Sequence, residues 1–280
     1  MAYGTVNFYS NVFGQDMEVD FLLPDTRRRA LKWTDWKDRK FPVIWLLHGN
    51  SDSRSSWVRK SNIELFSKLL DVIIIMPSCN REFYTDSQRG LNFFTYITEE
   101  LPIVMKNYLP ISDKREENFI MGNSMGGYGA LKCAFNYPEK YGAVASLSGA
   151  VSIIDNLSQN NNDEMSINLK YIFGSSEKFL NTENDVFYLI EHLKEKEFGN
   201  KIKVYQCCGK EDFVYDGNVK LYDALRKSID TSLFEYKEGH GGHDWFYWNQ
   251  RLSEIFSFFG FEVNDDHNDS GIFDIDNKKF

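Results

Sequence analysis

The chain has 280 residues, a net charge of −9, 42% apolar residues and 16% aromatic residues. That length buries roughly three quarters of the unfolded surface and suits one large globular domain, so intrinsic disorder is excluded. An acidic balance without a basic stripe argues against a nucleic-acid partner, and the absence of a membrane-length apolar run argues against a membrane one.

In chain order, residues 1–7 lack a basic region followed by an apolar core, so no secretory leader is expected. Residues 17–23 alternate loosely and predict an antiparallel strand. Arg27, Arg28 and Arg29, with Lys37 and Lys40, sit beside Asp25, Asp35 and Asp38 and read as a solvated loop. Apolar runs at 41–47, 72–76, 119–121, 143–147, 202–207 and 233–236 predict strands buried on both faces, as in a parallel sheet. Helical spacing predicts helices over 57–70, 92–108, 125–137, 185–196, 217–229 and 245–258. The βα alternation indicates a three-layer α/β fold. Residues 151–184 break the rhythm with a polar run at 159–163, and read as a small lid-like insertion or a surface excursion. The domain is expected over 1–262, with 263–280 as a polar tail holding His267. Four cysteines, two of them adjacent, lack metal spacing and read as reduced thiols in a cytoplasm.

The most informative run is Gly122-Asn123-Ser124-Met125-Gly126, which follows an apolar strand and precedes small residues. It has the form of a nucleophile elbow, where a strand turns sharply into a helix and exposes a serine at the tip. The helix that follows aims free N–H groups above that serine. A serine nucleophile needs a base, and the base needs an orienting acid. Both must come from later strand ends. Of five histidines, His192 lies in a predicted helix and His48 precedes the serine. His240 and His243 share a glycine-rich loop after 233–236. His243 is favoured because a helix starting at Asp244 would fix it. Asp212 is the expected acid, with Phe213 packed beneath it and Glu211 and Asp216 as rivals. The oxyanion donors expected are the backbone N–H groups of Met125 and of Asn50, in the His48-Gly49-Asn50 loop after 41–47.

With these motifs, the chain resembles the esterase D-like α/β hydrolases, most closely the bacterial tributyrin esterase type. The matching stretches are Leu46-Leu47-His48-Gly49 with Ser56-Trp57, Met76-Pro77, Tyr84-Thr85-Asp86, Glu99-Glu100-Leu101-Pro102, the elbow through Gly129, Ser148-Gly149-Ala150, Cys208-Gly209 with Asp212-Phe213, and His243-Asp244-Trp245 with Tyr247-Trp248. The resemblance spans about residues 1–260. It implies an α/β-hydrolase fold with a mostly parallel sheet flanked by helices. It also implies a carboxylesterase for short acyl chains, acting without cofactor or metal on a small-molecule ester, which an acylated carbohydrate would also satisfy. By position it assigns Ser124, Asp212 and His243 to the triad and Asn50 and Met125 to the oxyanion hole. His48, Trp57, Tyr84 and Trp245 are candidates for substrate binding. Trp57, Phe83, Tyr84, Phe93 and Trp245 would suit a feruloyl esterase, and a hydrolase-fold binding module without activity is the rival class. The resemblance leaves a homo-oligomer open.

Overall fold

Each apolar strand feeds two cores. In the computed structural model, which describes residues 2–24, 38–158 and 163–263, alternate side chains of one strand join different clusters. Val43, Trp45 and Leu47 face one core, and Ile44 and Leu46 face the other. Ile73 and Ile75 part from Ile74 and Met76 in the same way. This is the period-two geometry of a strand covered on both faces, and it is why these runs carry no polar alternation.

The described residues form eight strands, β1 (Ala2–Ser10), β2 (Gln15–Leu23), β3 (Val43–Leu47), β4 (Ile73–Pro77), β5 (Asn118–Asn123), β6 (Ala143–Leu147), β7 (Lys203–Gly209) and β8 (Phe234–Gly239). They form one sheet in the order β1-β2-β4-β3-β5-β6-β7-β8. From β4 to β8 the pairing is parallel, while β1 and β2 join antiparallel. This is an α/β-hydrolase-type fold. Only seven strands are expected from the sequence. The eighth, β1, is an edge strand with Phe8 and Ser10 as its buried residues, so it shows no apolar run. Its hairpin turn is held by Glu100, whose carboxylate accepts the Asn11 N–H at 2.6 Å.

Several expected helices are interrupted. The 57–70 segment divides into Ser56–Lys60 and Ile63–Leu69, and Ser61 Oγ hydrogen-bonds the Trp57 carbonyl at the break. The 92–108 segment carries a π-helical stretch, Tyr96–Glu100, before Leu101–Tyr108. Pro102 lacks an N–H and so cannot bond the Thr98 carbonyl four residues back. Lys140 Nζ donates to that carbonyl instead, at 3.0 Å. The final segment divides into Trp245–Gln250 and Leu252–Phe259.

The described residues of the insertion at 151–184 form three helices, Ile153–Ser158, Glu164–Phe173 and Ser176–Phe179. Leu157, Leu169, Ile172, Phe173 and Phe179 are buried in the core. It docks on the loop after β4, where Asn168 donates to the Arg81 carbonyl at 3.1 Å and the Gln88 N–H donates to the Ile172 carbonyl at 3.0 Å. Residues 159–162 of the polar run, the basic residues from Arg27 to Lys37 and the tail from 264 with His267 lie outside the described residues.

Candidate active site

Parallel pairing brings the carboxyl ends of β3, β5, β6, β7 and β8 to one edge of the sheet. Leu47 pairs Gly122, Asn123 pairs Leu147, and Gly209 pairs Gly239. The loops leaving this edge hold the expected site residues.

Ser124 stands between β5 and the helix Met125–Asn136 with φ 54° and ψ −119°. A positive φ is costly for a serine, about 1–3 kcal/mol, and persists only where the surroundings dictate it. Here the Ser124 N–H donates to the Leu147 carbonyl at 2.8 Å, and its own carbonyl accepts the N–H groups of Tyr128 (3.1 Å) and Ala150 (3.0 Å). The close approach requires glycine at 126. A Cβ there would lie 2.4 Å from the Leu47 carbonyl oxygen and 2.8 Å from that of His48. Met125 is the first residue of the helix, so its N–H is one of those that helix geometry leaves without an intrahelical partner.

His243 and Asp212 meet across the β7 and β8 loops. The Nδ1–H of His243 donates to the Asp212 carboxylate, at 2.9 Å to Oδ1 and 3.0 Å to Oδ2. Asp212 is buried and also accepts the Val214 N–H at 2.9 Å. The two loops are clasped by Glu211: its N–H donates to the Gly241 carbonyl at 3.2 Å, and its carboxylate accepts the Gly241 N–H at 2.6 Å and meets His240 Nδ1 at 3.0 Å. His240 and Asp216 are exposed and away from Asp212's pairing. Asp244 caps the following helix by accepting the Tyr247 N–H at 2.9 Å. Phe213 does not pack beneath Asp212. It is 81% exposed, and its ring lies 4.4 Å from that of His243, which also meets Trp248 edge-on at 5.0 Å.

Ser124, His243, Asn50 and Trp245 line one cavity of about 450 Å³. Phe83, Met165, Phe213 and Trp248 add apolar groups to its lining, and Asp52 and Lys60 charged ones. The Lys60 ammonium pairs with Asp52 at 2.6 Å and lies 5.6 Å from the Trp245 ring centre.

His48, Trp57 and Tyr84 are not in this cavity, and their expectation as substrate-binding residues is corrected. All three are buried, and their side-chain polar atoms bond backbone groups. Trp57 Nε1–H donates to the Leu47 carbonyl at 3.0 Å, and Tyr84 OH donates to the His48 carbonyl at 2.9 Å. His48 Nδ1–H donates to the Gly49 carbonyl at 2.7 Å, while Nε2 accepts the Cys79 N–H at 2.9 Å. Burial lowers the His48 pKa, which keeps the imidazole neutral in this double role. Phe93 likewise packs in the core, against Phe13. The aromatic acyl pocket expected from Trp57, Phe83, Tyr84, Phe93 and Trp245 therefore keeps only Phe83 and Trp245. Sequence reading missed Asp52, Lys60, Met165 and Asn123 as cavity residues. Asn123 alone carried a signal, as a polar residue closing a buried strand.

Residues 10–259 match the profile of the family described as "Putative esterase". The chain is 29% identical over 265 residues to the acetyl esterase of Caldicellulosiruptor saccharolyticus, covering 92% of this chain and 98% of that one. It is similar in structure to the fluorophosphonate-binding serine hydrolase F of Staphylococcus aureus, with TM-score 0.80 and 27% identity, over 92% of this chain and 98% of that one. An S-formylglutathione hydrolase of Staphylococcus aureus gives TM-score 0.77 at 27% identity with the same coverage. With an elbow serine and a carboxylate-paired histidine in one cavity, and a family match over most of its length, the chain belongs to this esterase family and is a carboxylic ester hydrolase.

Proposed function

We propose that the protein hydrolyses short-chain esters, acetyl to butyryl, through an acyl-enzyme on Ser124. The observation that supports this most is the His243–Asp212 pair, 2.9 Å apart, beside an elbow serine in the same cavity. His243 takes the Ser124 proton as Oγ attacks the ester carbonyl. Asp212 holds Nδ1–H, which leaves Nε2 free as the base, and it stabilises the imidazolium that forms. The N–H groups of Asn50 and Met125 receive the oxyanion. His243 then protonates the leaving alcohol, and water repeats the sequence on the acyl-enzyme.

The likeness to an acetyl esterase supports a short acyl group. A feruloyl group is the second reading, supported by the aromatic residues Phe83, Phe213, Trp245 and Trp248 in the lining. The four free, buried cysteines support a reducing compartment such as the cytoplasm. The test is turnover of 4-nitrophenyl esters from acetyl to octanoyl and of methyl ferulate, by the wild type and by Ser124→Ala. The reading expects a maximum at or below butyryl and loss of turnover in the variant. A maximum at octanoyl, or a variant that keeps its turnover, overturns it.

A further inference from the structure

The alcohol that an ester releases must leave beside His243. Its oxygen takes the proton carried on Nε2, so the two atoms come within hydrogen-bond reach, about 3 Å. The carbons attached to that oxygen then lie against whatever surface adjoins the imidazole. Among the described residues, two aromatic rings of the cavity adjoin it, Phe213 at 4.4 Å and Trp248 at 5.0 Å between ring centres. Trp248 is buried, and its Nε1–H donates to Ser148 Oγ at 3.0 Å. Phe213 is 81% exposed and is the accessible ring of the two.

Exposure alone assigns nothing, because single apolar residues are common on protein surfaces. Position does. Phe213 follows Asp212 directly, inside a turn that Asp212 closes. The Asp212 carboxylate accepts the Val214 N–H at 2.9 Å, and its carbonyl accepts the Tyr215 N–H at 3.0 Å. The same carboxylate holds His243 Nδ1–H at 2.9 Å. One residue thus ties the Phe213 backbone and the base together. Packing within the chain does not account for a phenylalanine here, since most of the ring stays in water. An apolar group seated on the ring would remove that surface from water, and an aromatic one would add offset or edge-to-face contact.

We propose that Phe213 is the specificity-determining contact for the alcohol part of the ester, and that the preferred alcohols are apolar and carry a ring, as benzyl alcohol does. The proposal rests on the esterase reading and adds to it the class of leaving group.

The experiment measures kcat/KM for benzyl acetate, methyl acetate and methyl phenylacetate in the wild type, Phe213→Ala, Phe213→Leu and Phe213→Tyr. Benzyl and methyl alcohol are similar in acidity, and both acetates give the same acetyl-enzyme. The ratio of benzyl to methyl acetate therefore reports how the alcohol is held up to its departure. The wild type is expected to favour benzyl acetate by about tenfold or more. Phe213→Ala should remove most of that preference, and Phe213→Tyr should keep it. Phe213→Leu should remove part of it, which keeps the test intact if the alanine variant does not fold. The ratio of methyl phenylacetate to methyl acetate, which varies the acyl group, should be the same in all variants. A wild type that turns over 4-nitrophenyl acetate yet does not prefer benzyl acetate overturns the proposal and leaves the esterase reading standing. So does a preference that survives both Phe213→Ala and Phe213→Leu. A phenylacetate ratio that falls together with the benzyl ratio also overturns it, by placing the ring at the acyl group. Failure to turn over any of these esters, 4-nitrophenyl acetate included, sinks the esterase reading and this proposal with it.

Discussion

Gly126→Ala tests the elbow at its tightest point. The added Cβ would stand 2.4 Å from the Leu47 carbonyl oxygen, 2.7 Å from the Leu47 carbonyl carbon and 2.8 Å from the His48 carbonyl oxygen. All three are backbone atoms, so no side chain can swing aside. Restoring ordinary contact requires the nucleophile helix and the end of β3 to part by roughly 1 Å. That movement separates the two proposed oxyanion donors, Met125 at the start of the helix and Asn50 three residues past Leu47. A displacement of that size costs about 100-fold in rate when it misplaces reacting groups. Overpacking of a tight site costs about 1–3 kcal/mol in stability. The assay is kcat on 4-nitrophenyl acetate together with thermal unfolding. The expected result is a folded protein of lower Tm with kcat down by about two orders of magnitude. A variant within threefold of the wild type in kcat would refute the claim that this contact sets the geometry of the site.

Asp212→Asn should lower kcat by about 10⁴-fold, because the amide no longer enforces the Nδ1–H tautomer of His243. Asp216→Asn should change kcat little, and a severe loss there would move the orienting role to Asp216. Met165→Ala should shift the preferred acyl chain toward longer esters, since Met165 lines the cavity from the helix Glu164–Phe173. An unchanged chain-length profile would place that helix outside the acyl wall. Lys132 is fully buried, and burial pushes its pKa down to about 8. Its ammonium donates to the Tyr84 carbonyl at 3.1 Å and to Thr85 Oγ1 at 2.9 Å. The folded state therefore binds fewer protons than the unfolded state between about pH 8 and the usual lysine range. The cost of burying the charge is complete below pH 8 and fades as pH rises toward 10.5. Lys132→Met should thus gain on the wild type at pH 7, and the stability difference should close by up to about 3 kcal/mol by pH 10.5 in urea titrations. A difference that does not change with pH would show that Lys132 folds without this penalty.

The strands at the centre of the sheet are plain in the sequence because they are covered on both faces and hence apolar throughout. The edge strand β1 is not, because only Phe8 and Ser10 of its nine residues are buried. The broken helices escape for a local reason: Ser61 and Pro102 change the hydrogen bonding of one turn without disturbing the apolar spacing around it. For the site, chain order and parallel pairing suffice to send the loops of Ser124, Asp212 and His243 to one edge. What pattern alone cannot give is which way a side chain near that edge points. His48, Trp57 and Tyr84 are neighbours of the β3 loop, yet they are buried, bond backbone groups and do not line the cavity. Met165 comes from an insertion whose docking depends on contacts 80 residues and more away, such as Asn168 to Arg81, and no local period encodes those.

The central claim is that Ser124 carries the acyl group. The most direct measurement is peptide mass spectrometry of enzyme quenched in acid during turnover of 4-nitrophenyl acetate, with wild type, Asp212→Asn and Ser124→Ala run side by side. The account predicts an acetyl group on the peptide containing Ser124 in the wild type, and none in Ser124→Ala, whose turnover is also lost. An acetyl group trapped on a different residue, or turnover that survives Ser124→Ala, would contradict it.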